Sequence, residues 1–190
     1  MNSKKLVNLP ILQTQRLILR KIMPEDAADV FEYGSDPLVT RFVTWSTHQS
    51  IDDSKNFIDF ILEQYWNGYP SSWGIILKEK AKLIGTLGIV AYEPVHARIE
   101  IGYVINRNYW GEGMTTEAVK AFIEYCFTDL GVNRVEAKCF PENIASARVM
   151  EKSGLTYEGL LRQYALVKGV YQDLKTYAIL REDWLKNYLG

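Results

Sequence analysis

The stretch NRNYWGEGMTTEA, residues 106–118, places Gly111 and Gly113 on either side of Glu112, between a predicted strand and a predicted helix. Glycine allows a backbone to approach a ligand closely. The first N–H groups of a helix have no partner within the helix and carry partial positive charge. Strand, glycine turn and helix N-terminus can therefore hold an anion such as a diphosphate. The alternative is a plain structural turn.

Two well-defined phosphate motifs do not fit this stretch. Gly113 is followed by Met114 rather than by lysine and serine or threonine, so the turn is not a nucleotide P-loop. The third glycine of a dinucleotide-binding fingerprint is also missing. The two glycines leave open either an anion cradle of another kind or a structural turn.

The sequence on either side of the turn predicts a mixed sheet with helices packed on both of its faces. Alternating and β-favouring residues predict strands over residues 16–22, 73–77, 83–91, 98–105, 134–139, 155–167 and 170–180. Helical spacing and start signals predict helices that begin near Pro24, Asp52, Gly113 and Asn143. Residues 37–42 are ambiguous. This element order is typical of an α/β (α+β) protein.

Neither a repeat nor a linker divides the chain, so we expect residues 1–190 to form one domain. Lys4 and Lys5 precede LVNLPIL without a cleavage site, which indicates an ordinary N-terminal segment rather than a signal peptide. No stretch approaches the ~18 apolar residues of a membrane span. We therefore expect a cytoplasmic protein.

Composition and charge argue against several other classes of protein. The net charge of −1 gives no basic excess for nucleic acid or an anionic membrane. Two cysteines and two histidines lack metal-ligand spacing, so we expect no metal and two reduced core thiols. These residues are Cys126, Cys139, His48 and His96.

The motifs together resemble the GCN5-related N-acetyltransferase (GNAT) superfamily. Gly111 and Gly113 enter one helix, Asn143 begins the next, and MEKSGL (residues 150–155) ends it. The likeness extends from the first strand near Arg16 to Trp184. It implies a mostly antiparallel twisted sheet of about seven strands that splays at its centre. It also implies acetyl-CoA as the cosubstrate, with the diphosphate on the turn and the pantetheine arm in the splay.

The resemblance implies a coenzyme site built from the turn, the strand before it and the next helix. Asn108 departs from the Gln or Arg that is usual three residues before the first glycine. Asn143 also suits a helix N-cap. The residues that we expect to bind acetyl-CoA are Tyr103, Val104, Ile105, Asn108, Gly111, Glu112, Gly113, Met114, Thr115 and Asn143.

A narrower resemblance is to the RimJ and RimL branch, which acetylates ribosomal-protein N-termini. It rests on RLILRKIMPEDA, YWGEGMTTEA, ENIASARVMEKSGL and GVYQDLKTYAILREDW. Where many family members carry a proton-donating tyrosine, this chain has Met150. Ser146 is our candidate donor near the sulfur, although it also suits the first turn of a helix. A strand N–H near Val104 would meet the oxyanion.

Glu100 is the candidate general base. It lies on the predicted central strand, on the face opposite Ile99 and Ile101. We expect partial burial to raise its pKa toward useful values. The alternative is a structural ion pair with Arg98 or with a cation on a helix.

These expectations converge on an enzyme that transfers an acetyl group from acetyl-CoA to a primary amine. The leading acceptor is a protein N-terminal α-amine, as in ribosomal proteins. The alternatives are a small-molecule amine (a polyamine, an amino acid or an antibiotic) and a non-catalytic acyl-CoA-binding module. We expect no nucleic-acid or membrane partner, and the sequence leaves open a monomer or a homodimer.

Overall fold

The computed structural model describes residues 9–69 and 71–189. The interpretation of Lys4 and Lys5 as part of an ordinary N-terminal segment lies outside these residues. So does Pro70, the first residue of the turn that the sequence predicts over residues 70–72, before the strand expected at residues 73–77.

Within residues 9–69 and 71–189, eight strands form one sheet in the order β1-β2-β3-β4-β5-β6-β8-β7. All neighbouring strands are antiparallel except β5 and β6, which are parallel. The predicted mixed, mostly antiparallel sheet is therefore confirmed, with one strand more than expected. The strands are β1 (Leu12–Gln13), β2 (Leu17–Lys21), β3 (Ser72–Leu77), β4 (Lys82–Glu93), β5 (Arg98–Ile105), β6 (Arg134–Cys139), β7 (Thr156–Val167) and β8 (Val170–Leu180).

In the described part of the chain, six α-helices pack on this sheet: α1 (Ala27–Gly34), α2 (Pro37–Thr40), α3 (Ile51–Asn67), α4 (Met114–Thr128), α5 (Ile144–Lys152) and α6 (Arg181–Leu189). Ser50 and Asp53 form a capping box at the start of α3, and Gly68 ends it with a φ of 71°. Helix α2 resolves the ambiguous segment, since Pro37 is its first residue and Asp36 accepts from the N–H of Leu38.

The two faces of the sheet carry separate apolar cores. On one face α4 and α5 pack on the central strands, where the Trp73 and Phe122 rings meet edge to face with centroids 4.9 Å apart. On the other face α1, α2 and α3 pack against β2 to β4 around Tyr33 and Ile58. Each fully buried large side chain contributes about 1.5–3 kcal/mol to folding. The predicted placement of helices on both faces is confirmed.

The sheet opens at its centre, between β5 and β6. These strands pair only from Arg98 with Arg134 to Ile101 with Ala137. Beyond this point, among the described strands, β5 continues through residues 102–105 beside β4 alone, and β6 continues to Cys139 beside β8 alone. The central splay that the resemblance implied is present, and it leaves one edge of β5 available to a ligand.

Candidate active site

The gap between β5 and β6 opens into a cavity of about 840 Å³. This volume lies in the range of ~300–1,000 Å³ that is typical of small-molecule sites. Its walls come from β5, the glycine turn, α4, α5 and the segment around α2. The lining residues are Leu38, Val39, Arg41, Phe42, Val43, Tyr103, Val104, Ile105, Tyr109, Trp110, Gly111, Gly113, Thr115, Thr116, Glu142, Asn143, Ile144, Ala145, Ser146, Arg148, Val149 and Lys152.

Two hydrogen bonds fix which backbone groups of β5 face the gap. The Asn106 N–H donates to the Ile84 carbonyl of β4 at 2.7 Å, and the Trp110 Nε1–H donates to the Ile105 carbonyl at 3.0 Å. In a strand, the N–H and C=O groups of one residue point to the same side, and those of the next residue point to the opposite side. Val104 therefore bonds toward β4, whereas the N–H groups of Tyr103 and Ile105 point into the gap. The unpaired edge offers the donors and acceptors that an amide-containing ligand needs.

The glycine turn leaves the N-terminus of α4 open to this cavity. Gly111 and Gly113 both have a φ of 78°, a left-handed conformation that disfavours residues with a Cβ atom. Gly113 is the N-cap of α4, and among the described residues no side chain caps this helix. The first helical hydrogen bond runs from the Glu117 N–H to the Gly113 carbonyl at 3.0 Å. The N–H groups of residues 114–116 precede it and carry the positive end of the helix dipole.

An ion pair between the segment before β2 and the first turn of α4 holds this turn in place. The carboxylate of Glu117 accepts from Thr14 Oγ1 (2.6 Å), from the Arg16 N–H (2.9 Å) and from Arg16 Nε (2.7 Å). Arg16 Nη1 in turn donates to the Glu112 carbonyl in the middle of the turn at 3.0 Å. Burial alone raises the pKa of Glu117, but these hydrogen bonds outweigh it and lower the pKa overall. No local pattern in the sequence predicts this contact, because Arg16 and Glu117 are 101 residues apart.

A second set of contacts holds the segment that leads into the turn. Glu32 of α1 accepts from Asn106 Nδ2 at 2.8 Å and from Asn108 Nδ2 at 3.3 Å. Arg107 Nε donates to Asp36 at 2.6 Å. Asn108 and Arg107 therefore direct their side chains toward α1 and α2. These hydrogen bonds link the two helices to the segment that precedes the glycine turn.

Helix α5 contributes polar groups at the inner end of the cavity. Asn143 is its N-cap, and the Asn143 Oδ1 accepts from the Ser146 N–H at 3.1 Å. The Ser146 Oγ lies 3.0 Å from the hydroxyl oxygen of Tyr103 on β5. Met150 is fully buried in the core below them. Sequence reasoning found Asn143 and Ser146, but it assigned Tyr103 only a backbone role.

Cations line the wall of the cavity that α5 and α2 form. Arg148 and Lys152 are one turn apart on α5, and Arg41 follows α2. This basic wall suits a ligand with several phosphate charges. The sequence analysis missed all three residues, although the four-residue spacing of Arg148 and Lys152 would place them on one helix face.

Glu100 lies outside the cavity lining, where β5 and β6 are still paired. Its carboxylate accepts from Lys138 Nζ of β6 at 2.5 Å, and the side chain of Lys138 is only 8% exposed. Glu136, opposite Glu100 in the ladder, lies 3.4 Å from the same ammonium. Glu100 therefore does form a structural ion pair, but its partner is Lys138 on β6. Arg98, the partner considered from the sequence, pairs with Glu93 instead.

The structure thus brings together most of the residues expected at the coenzyme site, but not all of them. Three of them do not line the cavity: Glu112 has an exposed side chain, Asn108 donates to Glu32, and the side chain of Met114 is buried in the core. Those that line the cavity, together with Ser146, are Tyr103, Val104, Ile105, Gly111, Gly113, Thr115 and Asn143.

The thiols lie in the core rather than in the cavity lining. Cys126 and Cys139 are free and buried, and burial raises the pKa of both, that of Cys139 to about 11. Among residues 9–69 and 71–189, no group of three or more His, Cys, Asp or Glu side chains is arranged to hold a metal ion. Within the same ranges, no helix is both long enough and apolar enough to cross a membrane.

Comparisons with known proteins agree with this geometry. The family profile "Acetyltransferase (GNAT) domain" matches residues 16–156. A protein of Bacillus licheniformis named "Uncharacterized N-acetyltransferase p20" is 37% identical over 173 residues, covering 91% of this chain and 97% of that protein. A crystal structure of a GNAT-family acetyltransferase from Bacillus anthracis superposes with a TM-score of 0.81 at 30% identity, covering 91% and 99% of the two chains.

A more distant relative has a named acceptor. The ribosomal-protein-serine acetyltransferase of Escherichia coli is 28% identical over 130 residues, which cover 68% of this chain and 72% of that protein. The chain belongs to the GNAT acetyltransferase family, and it is an N-acetyltransferase of that type.

Proposed function

We propose that this enzyme transfers the acetyl group of acetyl-CoA to the α-amine of a protein N-terminus, of the kind found on ribosomal proteins. The observation that carries the proposal is the cavity itself. It runs from the open N-terminus of α4, along the unpaired edge of β5, to the hydroxyl of Ser146. The ribosomal-protein acceptor is supported by the relative in Escherichia coli.

The residues of this cavity fit the parts of acetyl-CoA in order. The N–H groups at the start of α4 would hold the diphosphate, because Gly111 and Gly113 leave no Cβ atom in its way. The inward-facing N–H and C=O groups of Tyr103 and the N–H of Ile105 would pair with the amides of the pantetheine arm, since the Ile105 carbonyl already accepts from Trp110. Arg148 and Lys152 would face the remaining phosphate charge.

Acetyl-CoA supplies a thioester carbonyl, which a neutral primary amine attacks directly. A strand N–H in the gap, from Tyr103 or Ile105, is placed to stabilise negative charge on the carbonyl oxygen. The hydroxyl of Ser146 is our candidate donor to the departing sulfur. Asn143 fixes the first turn of α5 and therefore the position of that hydroxyl.

Glu100 remains our candidate for the base that receives the amine proton through water. Its carboxylate lies on β5 just before the gap begins, and its side chain is 20% exposed. The ion pair with Lys138 gives it a structural role as well. Measurements of rate and of stability on the same variant separate the two roles.

Release of free thiol from acetyl-CoA in the presence of defined amines tests the proposal. The acceptors are peptides that begin with Ser, Ala or Met and, as matched controls, the same peptides with acetylated N-termini but free lysines. We expect thiol release with the free peptides and only background with the blocked ones. Mass spectrometry should place the added acetyl group on the α-nitrogen.

Three other outcomes have distinct meanings. Release with polyamines, amino acids or aminoglycosides but not with peptides would replace the protein acceptor with a small molecule. Equal release with blocked peptides would indicate acetylation of lysine side chains. Binding of acetyl-CoA without thiol release in any mixture would favour a non-catalytic acyl-CoA-binding module.

A further inference from the structure

Two hydroxyl groups from different elements meet at the inner end of the cavity. The Tyr103 hydroxyl oxygen lies 3.0 Å from the Ser146 Oγ and 3.1 Å from the Ser146 carbonyl oxygen. Tyr103 is on β5 and Ser146 is in the first turn of α5, on opposite sides of the gap. Both residues line the cavity and are half-buried.

The pair has two protons and two ways to arrange them. If the Tyr103 hydroxyl donates to the Ser146 carbonyl, the Ser146 hydroxyl can donate back to Tyr103, and neither proton is available to a ligand. If Tyr103 donates to the Ser146 Oγ instead, the Ser146 proton is free for a third partner. A negative charge beside Ser146 favours the second arrangement, because aligned hydrogen bonds polarise one another.

We propose that Tyr103 is a positioning residue for the leaving group: its phenol donates to the Ser146 Oγ and so directs the Ser146 proton at the sulfur of CoA. The inference rests on the proposed function, in which Ser146 faces that sulfur. Burial raises the pKa of Tyr103, so the phenol stays protonated throughout the working pH range. The phenol is therefore a permanent donor in this chain.

The step balances without any further reactant. As the C–N bond forms and the C–S bond breaks, the electron pair of the C–S bond stays on sulfur. The acceptor nitrogen loses one proton overall, and the sulfur gains one to leave as a thiol. Ser146 stabilises the sulfur by donating a hydrogen bond, and Tyr103 contributes only by donating to the Ser146 Oγ, so each keeps its own proton at the end. The amine proton passes through water to Glu100, and the sulfur takes its proton from the solvent.

The ionisation of bound CoA tests this inference without an acceptor. We would titrate the ultraviolet absorbance of the CoA thiolate on the enzyme and subtract a parallel titration with desulfo-CoA. This subtraction removes the protein's own tyrosines and thiols. Hydrogen bonds to the thiolate should raise the ionisation constant of the bound thiol by roughly tenfold or more over free CoA.

Conservative variants then assign the effect. Tyr103→Phe keeps the ring and should lose much of the increase in the ionisation constant of the bound CoA thiol, while Ser146→Ala should lose all of that increase. The double variant should match Ser146→Ala, because Tyr103 acts only through Ser146. Tyr92→Phe, which changes a half-buried tyrosine outside the cavity lining, serves as the matched control and should behave as the wild type.

The outcomes separate this inference from the function on which it rests. If the ionisation constant of the bound thiol is as high in Tyr103→Phe as in the wild type, but falls to that of free CoA in Ser146→Ala, the role of Tyr103 alone would be overturned. An unshifted thiol in the wild type would overturn both hydroxyl roles. Failure of the wild type to bind CoA would overturn the proposed coenzyme site. A purely structural Tyr103 would instead lower Tm and weaken binding of CoA and desulfo-CoA equally.

Discussion

Replacing Glu117 by glutamine tests the contact that holds the glycine turn. The carboxylate accepts three hydrogen bonds at 2.6–2.9 Å, and its side chain is 19% exposed. Hydrogen bonds to a charged group contribute about 1.5–3 kcal/mol each, but they are not additive, and Arg16 is 40% exposed and partly screened. We therefore expect Glu117→Gln to lower the free energy of unfolding by about 2–3 kcal/mol at pH 7.

The pH dependence of this loss has a definite sign. Because the folded state lowers the pKa of Glu117, its contribution is complete above the unfolded pKa of about 4.3 and is lost as the pH falls through the folded pKa. The difference between wild type and variant should be constant from pH 7 to about pH 5 and should narrow below about pH 4.

Urea unfolding at a series of pH values measures this difference directly, and Tm should fall by about 4–12 °C at pH 7. Glu112→Gln removes a neighbouring exposed carboxylate that the turn does not use, so it is the matched control. Glu117→Gln should also raise KM for acetyl-CoA, since Arg16 would no longer be held against the Glu112 carbonyl. A free energy of unfolding within about 0.5 kcal/mol of the wild type would show that the Glu117 carboxylate does not hold the turn.

Substitutions at three positions, with matched controls, test other parts of the site. Gly113→Ala adds a left-handed penalty of about 1–2 kcal/mol and should weaken acetyl-CoA binding by about 5–30-fold in calorimetry; Gly169→Ala, with the same kind of backbone outside the cavity lining, should not. Asn143→Ala should lose about 1 kcal/mol of stability and lower kcat, whereas Asn143→Asp should restore the helix cap. Equal kcat in the two variants would contradict the role of Asn143 in positioning Ser146. Glu100→Gln should lower kcat by about 10²–10⁴-fold with unchanged acetyl-CoA affinity, whereas a loss of stability alone would assign Glu100 to its ion pair with Lys138.

Local patterns in the sequence predicted much of the sheet. The bounds of β5, β6 and β8 agree with those expected, because each strand shows clear alternation or a turn at its end. Two elements were missed for physical reasons. Strand β1 has only two residues and therefore no period, and α6 has too few apolar residues to show a helical stripe.

The candidate site was predictable only where its residues are close in sequence. Gly111, Gly113 and Asn143 carry local signals, namely a turn and a helix start. The partners of Glu117 and Glu100 come from distant strands, and nothing in the local sequence specifies such pairings. Pairings of this kind follow from sheet order and register, which a single sequence specifies weakly.

The proposed function depends above all on the binding of the acetyl-CoA diphosphate at the start of α4. A crystal structure of the enzyme with CoA would test this binding. We predict diphosphate oxygens within about 3.2 Å of the backbone N–H groups of residues 113–116, with the pantetheine arm beside residues 103–105. Density for CoA elsewhere on the protein, or a diphosphate held only by side chains away from this turn, would contradict the account.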